Sequence, residues 1–237
     1  MRSRPARAAA VLAVACLFVT LPAVAACPFV PLPIRCTTLD KPLSADVAGP
    51  APKSGIDLIY LYLPNCPHCE ELAPAFNAWT ARLPPQVTVR RDVVVWSVPE
   101  KLTGHDPRVA DAVLEALGGN DSAARQRQLA DQASQRGWDR PDVDAFFARL
   151  GLSPAEAEPL AQSAATKAGL KRRAALVAAT RATQVPYVIV ARRSAVTVDW
   201  NGGDWQPERF VGVLEGPQRN LVTVMNNYVD KQKDGGN

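Results

Sequence analysis

The amino-acid sequence predicts an α/β fold enlarged by an all-helical insertion, on three observations. From Ile56 to Leu63 the chain reads Ile-Asp-Leu-Ile-Tyr-Leu-Tyr-Leu, with the length and aromatic content of a buried strand. A helical pattern follows at once, and a second helical block occupies roughly residues 98–181. The chain then returns to two short apolar runs. Strand, helix, strand, helical block, strand, strand, helix is an α/β order.

The first element is an address. Three arginines (Arg2, Arg4, Arg7) precede an almost unbroken apolar run from Ala8 to Ala26, which ends in small residues. That is the pattern of a bacterial secretory signal, so residues 1–26 are expected to be removed. The competing reading, an uncleaved membrane anchor, is disfavoured by Pro22 and the small residues beside it. The chain as written carries 27 Lys+Arg against 23 Asp+Glu. Without the leader this becomes 24 against 23, so a net charge of +4 falls to +1. A balanced surface lacks the footprint of a nucleic-acid binder. With 47% hydrophobic and 21% charged residues, the chain is also too apolar for a disordered tail.

Residues 27–54 hold six prolines and no helical period, and read as an arm or tether ahead of a domain spanning 55–237. The Ile56 strand leads to Cys66-Pro67-His68-Cys69, and a helix is expected through Leu72, Phe76 and Trp79, kinked by Pro74. Valine-rich Gln86–Trp96 is the second strand. In the insertion, Asp106-Pro107 supplies an N-cap and first-turn proline, with Val109, Val113 and Leu117 on one face before Gly118-Gly119. Val143, Phe146, Phe147 and Leu150 form another stripe, and Ser153-Pro154-Ala155-Glu156 is a capping box, with Pro159 an irregularity in the helix it opens. Strands are expected at Tyr187–Ala191 and Ala195–Trp200, and a last helix through Leu221, Val224, Met225 and Tyr228.

Export gives the five cysteines their meaning, because disulfides persist in an oxidising compartment. Cys16 leaves with the leader, and Cys27, Cys36, Cys66 and Cys69 remain. Val24-Ala25-Ala26-Cys27 resembles the lipobox of bacterial lipoproteins, which would make Cys27 a lipid site and membrane tether. The alternative is ordinary cleavage with Cys27 paired to Cys36, which leaves no odd thiol. A lipidated sulfur cannot also form a disulfide, so the readings are exclusive.

Cys66-Pro67-His68-Cys69 carries the chemistry. Two sulfurs in the first turn of a helix can close a small disulfide loop. The unpaired N–H groups and helix dipole there favour a thiolate on Cys66. His68 adds a cationic or hydrogen-bonding partner, and Pro67 suits a helix start. A stabilised thiolate is a good leaving group, which makes the pair oxidising. A zinc ribbon would need a second Cys-x-x-Cys, and Cys27…Cys36 is spaced wrongly. Covalent haem would need His where Glu70 stands, and an inert disulfide would restrain little chain. No metal or cofactor is expected. Thr183-Gln184-Val185-Pro186-Tyr187 places a proline at the start of a returning strand.

Together these residues resemble bacterial DsbA-like thiol oxidoreductases of the thioredoxin superfamily, over roughly Ile56 to the C-terminus. The resemblance implies a thioredoxin fold, a cis Val185-Pro186 bond on the substrate-binding face, Cys66 as exposed nucleophile and Cys69 as buried partner. It implies oxidation of exported proteins bearing free thiols in the periplasm, and re-oxidation by a quinone-linked membrane partner. Family members often carry a buried acid six residues before the first cysteine, where this chain has Tyr60. Asp57 falls on the opposite strand face, so proton handling at Cys69 or the poise of the pair is expected to differ. The alternatives are an isomerase or reductase kept reduced by a membrane donor, and an assembly chaperone with incidental cysteines. Trp200 and Trp205 read as turn packing or an aromatic contact surface, Lys171-Arg172-Arg173 as a solvated helix face, and His105 as a cap-region residue.

Overall fold

Strand β2 (Ile56–Tyr62) is the centre of the architecture, because its apolar and aromatic residues leave nothing to present to water. The computed structural model describes residues 33–50, 55–64, 66–118, 140–199 and 204–215. Within them a five-stranded mixed sheet has the order β1-β5-β4-β2-β3, formed by β1 (Ile34–Thr38), β3 (Val87–Val93), β4 (Tyr187–Val190) and β5 (Ser194–Val198) around β2. Strands β2 and β3 run parallel, with Ile56 opposite Val87 and Tyr62 opposite Val93. A parallel pair needs a crossover, and α2 (Pro67–Thr80) supplies it. Strand β4 lies antiparallel on the other side of β2, with Leu61 opposite Tyr187.

The two-residue period of β2 sorts its side chains onto two faces. Tyr60 meets Phe76 of α2 at a ring-centroid separation of 4.6 Å, so α2 covers that face with Leu72, Phe76 and Trp79 buried. Tyr187, opposite Leu61, points the other way and donates its hydroxyl to the Thr180 carbonyl at 2.9 Å, at the end of α6 (Ala164–Thr180). Helix α2 runs unbroken through Pro74. Gly55 opens β2 at φ +138°, where an added Cβ would lie 2.0 Å from the Gln86 carbonyl oxygen, so only glycine fits.

The insertion consists of α3 (Pro107–Leu117), α4 (Arg140–Arg149), α5 (Pro154–Ala161) and α6, and has an apolar core of its own that includes Val109, Val113, Phe146, Phe147 and Leu170. Its expected caps are present. Asp106 accepts from Arg108 N–H at 2.9 Å, and Glu156 accepts from the Ser153 N–H at 2.8 Å. The Pro159 helix ends at Ala161 before α6 begins.

Two expectations are corrected. Residues 34–38, read as part of a tether, pair antiparallel with β5, Ile34 opposite Val198; prolines around the strand hid a short edge element. Lys171-Arg172-Arg173 is not a solvated face. Arg173 is fully buried, its Nε 3.1 Å from Asp111 and its Nη1 2.7 Å from Glu115, while Arg172 pairs with Glu115 at 2.7 Å. His105 directly precedes the Asp106 N-cap of α3, as expected, and its Nε2 also lies 3.2 Å from Asp144 of α4. A four-residue helix, α1 (Ala45–Ala48), and helical residues 207–215 (α7) were not anticipated. The leader, Cys27, Trp200, Asn201-Gly202-Gly203 and the helix expected at 221–228 lie outside the described residues. Among the described residues, no helix is long and apolar enough to cross a membrane.

Candidate active site

Strand β2 delivers the chain to Cys66, which is the N-cap of α2 with extended backbone angles (φ −86°, ψ 111°). Sulfur here does what a serine or aspartate oxygen does at other helix starts. Cys66 Sγ accepts from the Cys69 N–H at 3.3 Å, and the Cys69 thiol donates to it at 2.7 Å. Pro67, at the first helical position, has no N–H to offer, so the His68 and Cys69 amides are the nearest backbone donors. The hydrogen bond from the Cys69 thiol is the largest influence on Cys66, and with the two amides and the His68 side chain it outweighs burial. The Cys66 thiol is thereby lowered from 9.0 to about 7. A half-buried thiolate at neutral pH is a nucleophile and a leaving group.

Cys69 differs in every respect. It is 5% exposed in the sheet core, and burial, then the hydrogen bond and charge of Cys66, push its thiol far above the ordinary value. The Leu63 amide and the Tyr60 hydroxyl pull the other way. His68 sits over the rim, its Nδ1 3.2 Å from Glu71 and its ring 6.0 Å from Trp205 in an edge-on arrangement. Trp205 packs in turn on Phe210 of α7 at 5.7 Å. The tryptophan is thus an aromatic wall beside the motif, a placement that its position after a Gly-Gly turn did not reveal.

The Val185-Pro186 bond is cis. Leu61 is opposite Tyr187, and one further step of that register sets Pro186 opposite Tyr62, at the end of β2 from which Cys66 follows. Thr197 Oγ1 donates to the Pro186 carbonyl at 3.1 Å, and Gln184 donates to the Val198 carbonyl, so β5 braces the loop. Val185 and Pro186 are themselves buried, while Thr183 is exposed. A cavity of about 350 Å³ behind the loop is walled by Thr180, Thr183, Gln184 and Thr197 and does not reach either cysteine of the motif. Trp96, 47% exposed, is pinned to the same loop region by an indole N–H donated to the Ala182 carbonyl at 2.9 Å. Cys36 on β1 is disulfide-bonded, to a partner outside the described residues. Asp57 pairs with Arg192 at 2.6 Å at the start of β2, away from the sulfurs.

Against solved structures, oxidoreductase DsbA from Xylella fastidiosa superposes with a TM-score of 0.57 at 18% identity, covering 73% of this chain and 90% of that one. The fold is that of DsbA. A Proteus mirabilis DsbA, solved with a non-covalently bound peptide PWATCDS, gives a TM-score of 0.55 at 16% identity, over 81% of this chain and 98% of its own. Such identities speak for the fold alone. In sequence, the thiol:disulfide interchange protein DsbA of Azotobacter vinelandii is 27% identical over 124 residues, 48% of this chain and 55% of the relative. The match therefore spans about half the length of that DsbA. No family model matches the chain.

Proposed function

We propose that this chain is an exported thiol:disulfide oxidoreductase that introduces disulfides into proteins bearing free thiols, through Cys66 and Cys69. The observation that carries the reading is the contrast between two sulfurs 2.7 Å apart: Cys66 ionises near pH 7, while buried Cys69 is held protonated. A substrate thiolate attacks Cys66 of the oxidised pair, the Cys66–Cys69 bond breaks, and Cys69 leaves with the electron pair. A second substrate thiolate then attacks the substrate sulfur of the mixed disulfide. The substrate gains a disulfide and Cys66 leaves as thiolate, stabilised by the donors around it. The substrate lies along the Val185-Pro186 loop, whose own side chains are buried, with His68 and Trp205 on the rim. The cysteine-containing peptide bound by the Proteus relative supports a peptide segment as ligand. A quinone-linked membrane protein re-oxidises the pair. Cys36, already disulfide-bonded, pairs with Cys27 in this reading, which leaves no sulfur for a lipid tether.

The test is to mix the oxidised protein with a peptide carrying two thiols. Stoichiometric formation of the peptide disulfide is expected, with loss of all activity in Cys66→Ala. A pair that leaves the dithiol untouched and only rearranges mispaired disulfides when reduced would move the assignment to the isomerase.

A further inference from the structure

The chain leaving β3 hides its side chains and then turns one outward. Val93, Val94 and Val95 are buried, whereas Trp96 is 47% exposed and Val98 40%, the exposed large hydrophobic residues among those described. The register puts this ring at the end of the sheet that carries the sulfurs. Val93 is opposite Tyr62 in the parallel pair, and the Val94 N–H still donates to the Tyr62 carbonyl at 2.9 Å. Trp96 is three residues past Val93 and Cys66 four past Tyr62, so both follow their strands out of the same end. The indole is held in place. Its N–H donates to the Ala182 carbonyl at 2.9 Å, and the Ala182 N–H donates to the Val177 carbonyl of α6 at 3.2 Å. Ala182 precedes exposed Thr183 and stands three residues before Val185 of the cis bond. Three residues of chain span at most about 10 Å, so the bond fixes the ring beside the stretch that enters the loop.

We propose that Trp96 is a specificity-determining residue, whose exposed face receives an apolar side chain of the substrate about three residues from the reacting cysteine. This rests on the dithiol oxidation proposed above, and adds the kind of segment that is chosen. A half-exposed indole leaves apolar ring surface in water, and covering it with another apolar group recovers free energy. Because the hydrogen bond to Ala182 already fixes the ring, little of its freedom is lost on binding. The occupant follows from continuity with the site. The ring adjoins the loop along which the substrate lies, while Trp205 adjoins the motif through His68. A segment with leucine or phenylalanine near its cysteine exposes both only before it folds. Once that chain folds, the apolar side chain enters its own core and the contact with Trp96 is lost. Unfolded chains are thereby preferred over folded ones.

Two peptides carrying two thiols each test this, identical except for leucine or serine about three residues to either side of the first cysteine. The oxidised wild-type protein is expected to oxidise the leucine peptide about tenfold faster, the worth of partly covering one apolar side chain. In Trp96→Ala that ratio is expected to fall to about one. Equal rates for the two peptides in the wild type, or an unchanged ratio in Trp96→Ala, overturn the proposal. A second measurement needs neither turnover nor the alanine variant. In protein carrying Cys66→Ala and Cys69→Ala, the Trp96 indole N–H resonance, assigned by its loss in Trp96→Phe, is expected to shift with the leucine peptide and not with the serine peptide. An unmoved resonance overturns the role of Trp96. Sedimentation of the wild type as a dimer that Trp96→Ala separates assigns the ring to a second copy of this chain, which also overturns it. Failure of the wild-type protein to oxidise either peptide overturns the parent reading instead, and the resonance still reports on Trp96.

Discussion

At the scale of single residues, the division of labour between two cysteines separated by Pro67 and His68 comes from where one turn of helix puts them. Cys66 sits at the helix end, where the Cys69 thiol and amide converge on it, and Cys69 sits one turn in, against the sheet. The Cys69 thiol is the largest influence holding Cys66 low and the His68 charge a smaller one, so the two can be ranked. Ultraviolet titration of the thiolate is expected to show Cys66 rising from about 7 in both Cys69→Ala and His68→Ala, and further in the first. The reverse order would place the main influence on the imidazole. The sign of the pH effect follows. A thiol lowered from 9.0 to about 7 stabilises the reduced fold in full above pH 9, and that contribution is lost as pH falls through 7. The motif could be located in the sequence by its spacing, and both of its sulfurs lie in the first turn of α2. Tyr60 was legible only as a position, since what its ring packs against depends on how α2 lies over β2.

Between elements, the joint of insertion and sheet is ionic where an apolar seam would be the simpler solution. Arg173 of α6 meets Asp111 and Glu115 of α3, and lies 3.7 Å from Asp92 of β3. Arg90 adds a 3.0 Å pair to Asp92. Burial would push the Asp92 carboxyl up, but Arg90, Arg173 and Arg172 outweigh it and hold it low; Asp111 is raised to about 7, chiefly by burial. Removing one member of such a group leaves the others unpaired, which costs more than the pair contributed. Arg173→Met is therefore expected to destabilise the protein by about 3 kcal/mol or more in urea unfolding. A loss below about 1 kcal/mol would mean that the carboxylates are neutralised or hydrated without it. A sequence signal for this joint exists. Thr166, Leu170, Arg173, Val177 and Thr180 fall at helical spacing on the buried stripe of α6, and reading the three basic residues as a run concealed that one of them lies on it. Strand β1 had no such signal, because five residues between prolines acquire a strand's pattern only from β5 beside them.

Taken whole, the molecule holds a half-buried sulfur, a buried partner and a cis-proline loop at one end of a sheet, with a helical insertion locked to the sheet through charge. From β2 to β5 the order of elements and the position of the insertion could be read from apolar periodicity, because strands and helices have different periods and the insertion has its own core. What periodicity could not supply was contact across faces: Trp205 beside His68, and Trp96 beside Ala182. The proposed oxidase role requires that a Cys66 thiolate stabilised in the reduced state make this pair an oxidant. Equilibration with glutathione buffers of varied ratio, read by trapping free thiols, tests it most directly. The expected result is a pair that stays reduced under mildly oxidising conditions, with a potential above roughly −180 mV. A pair that remains a disulfide in reducing buffer, with a potential below about −300 mV, would contradict it.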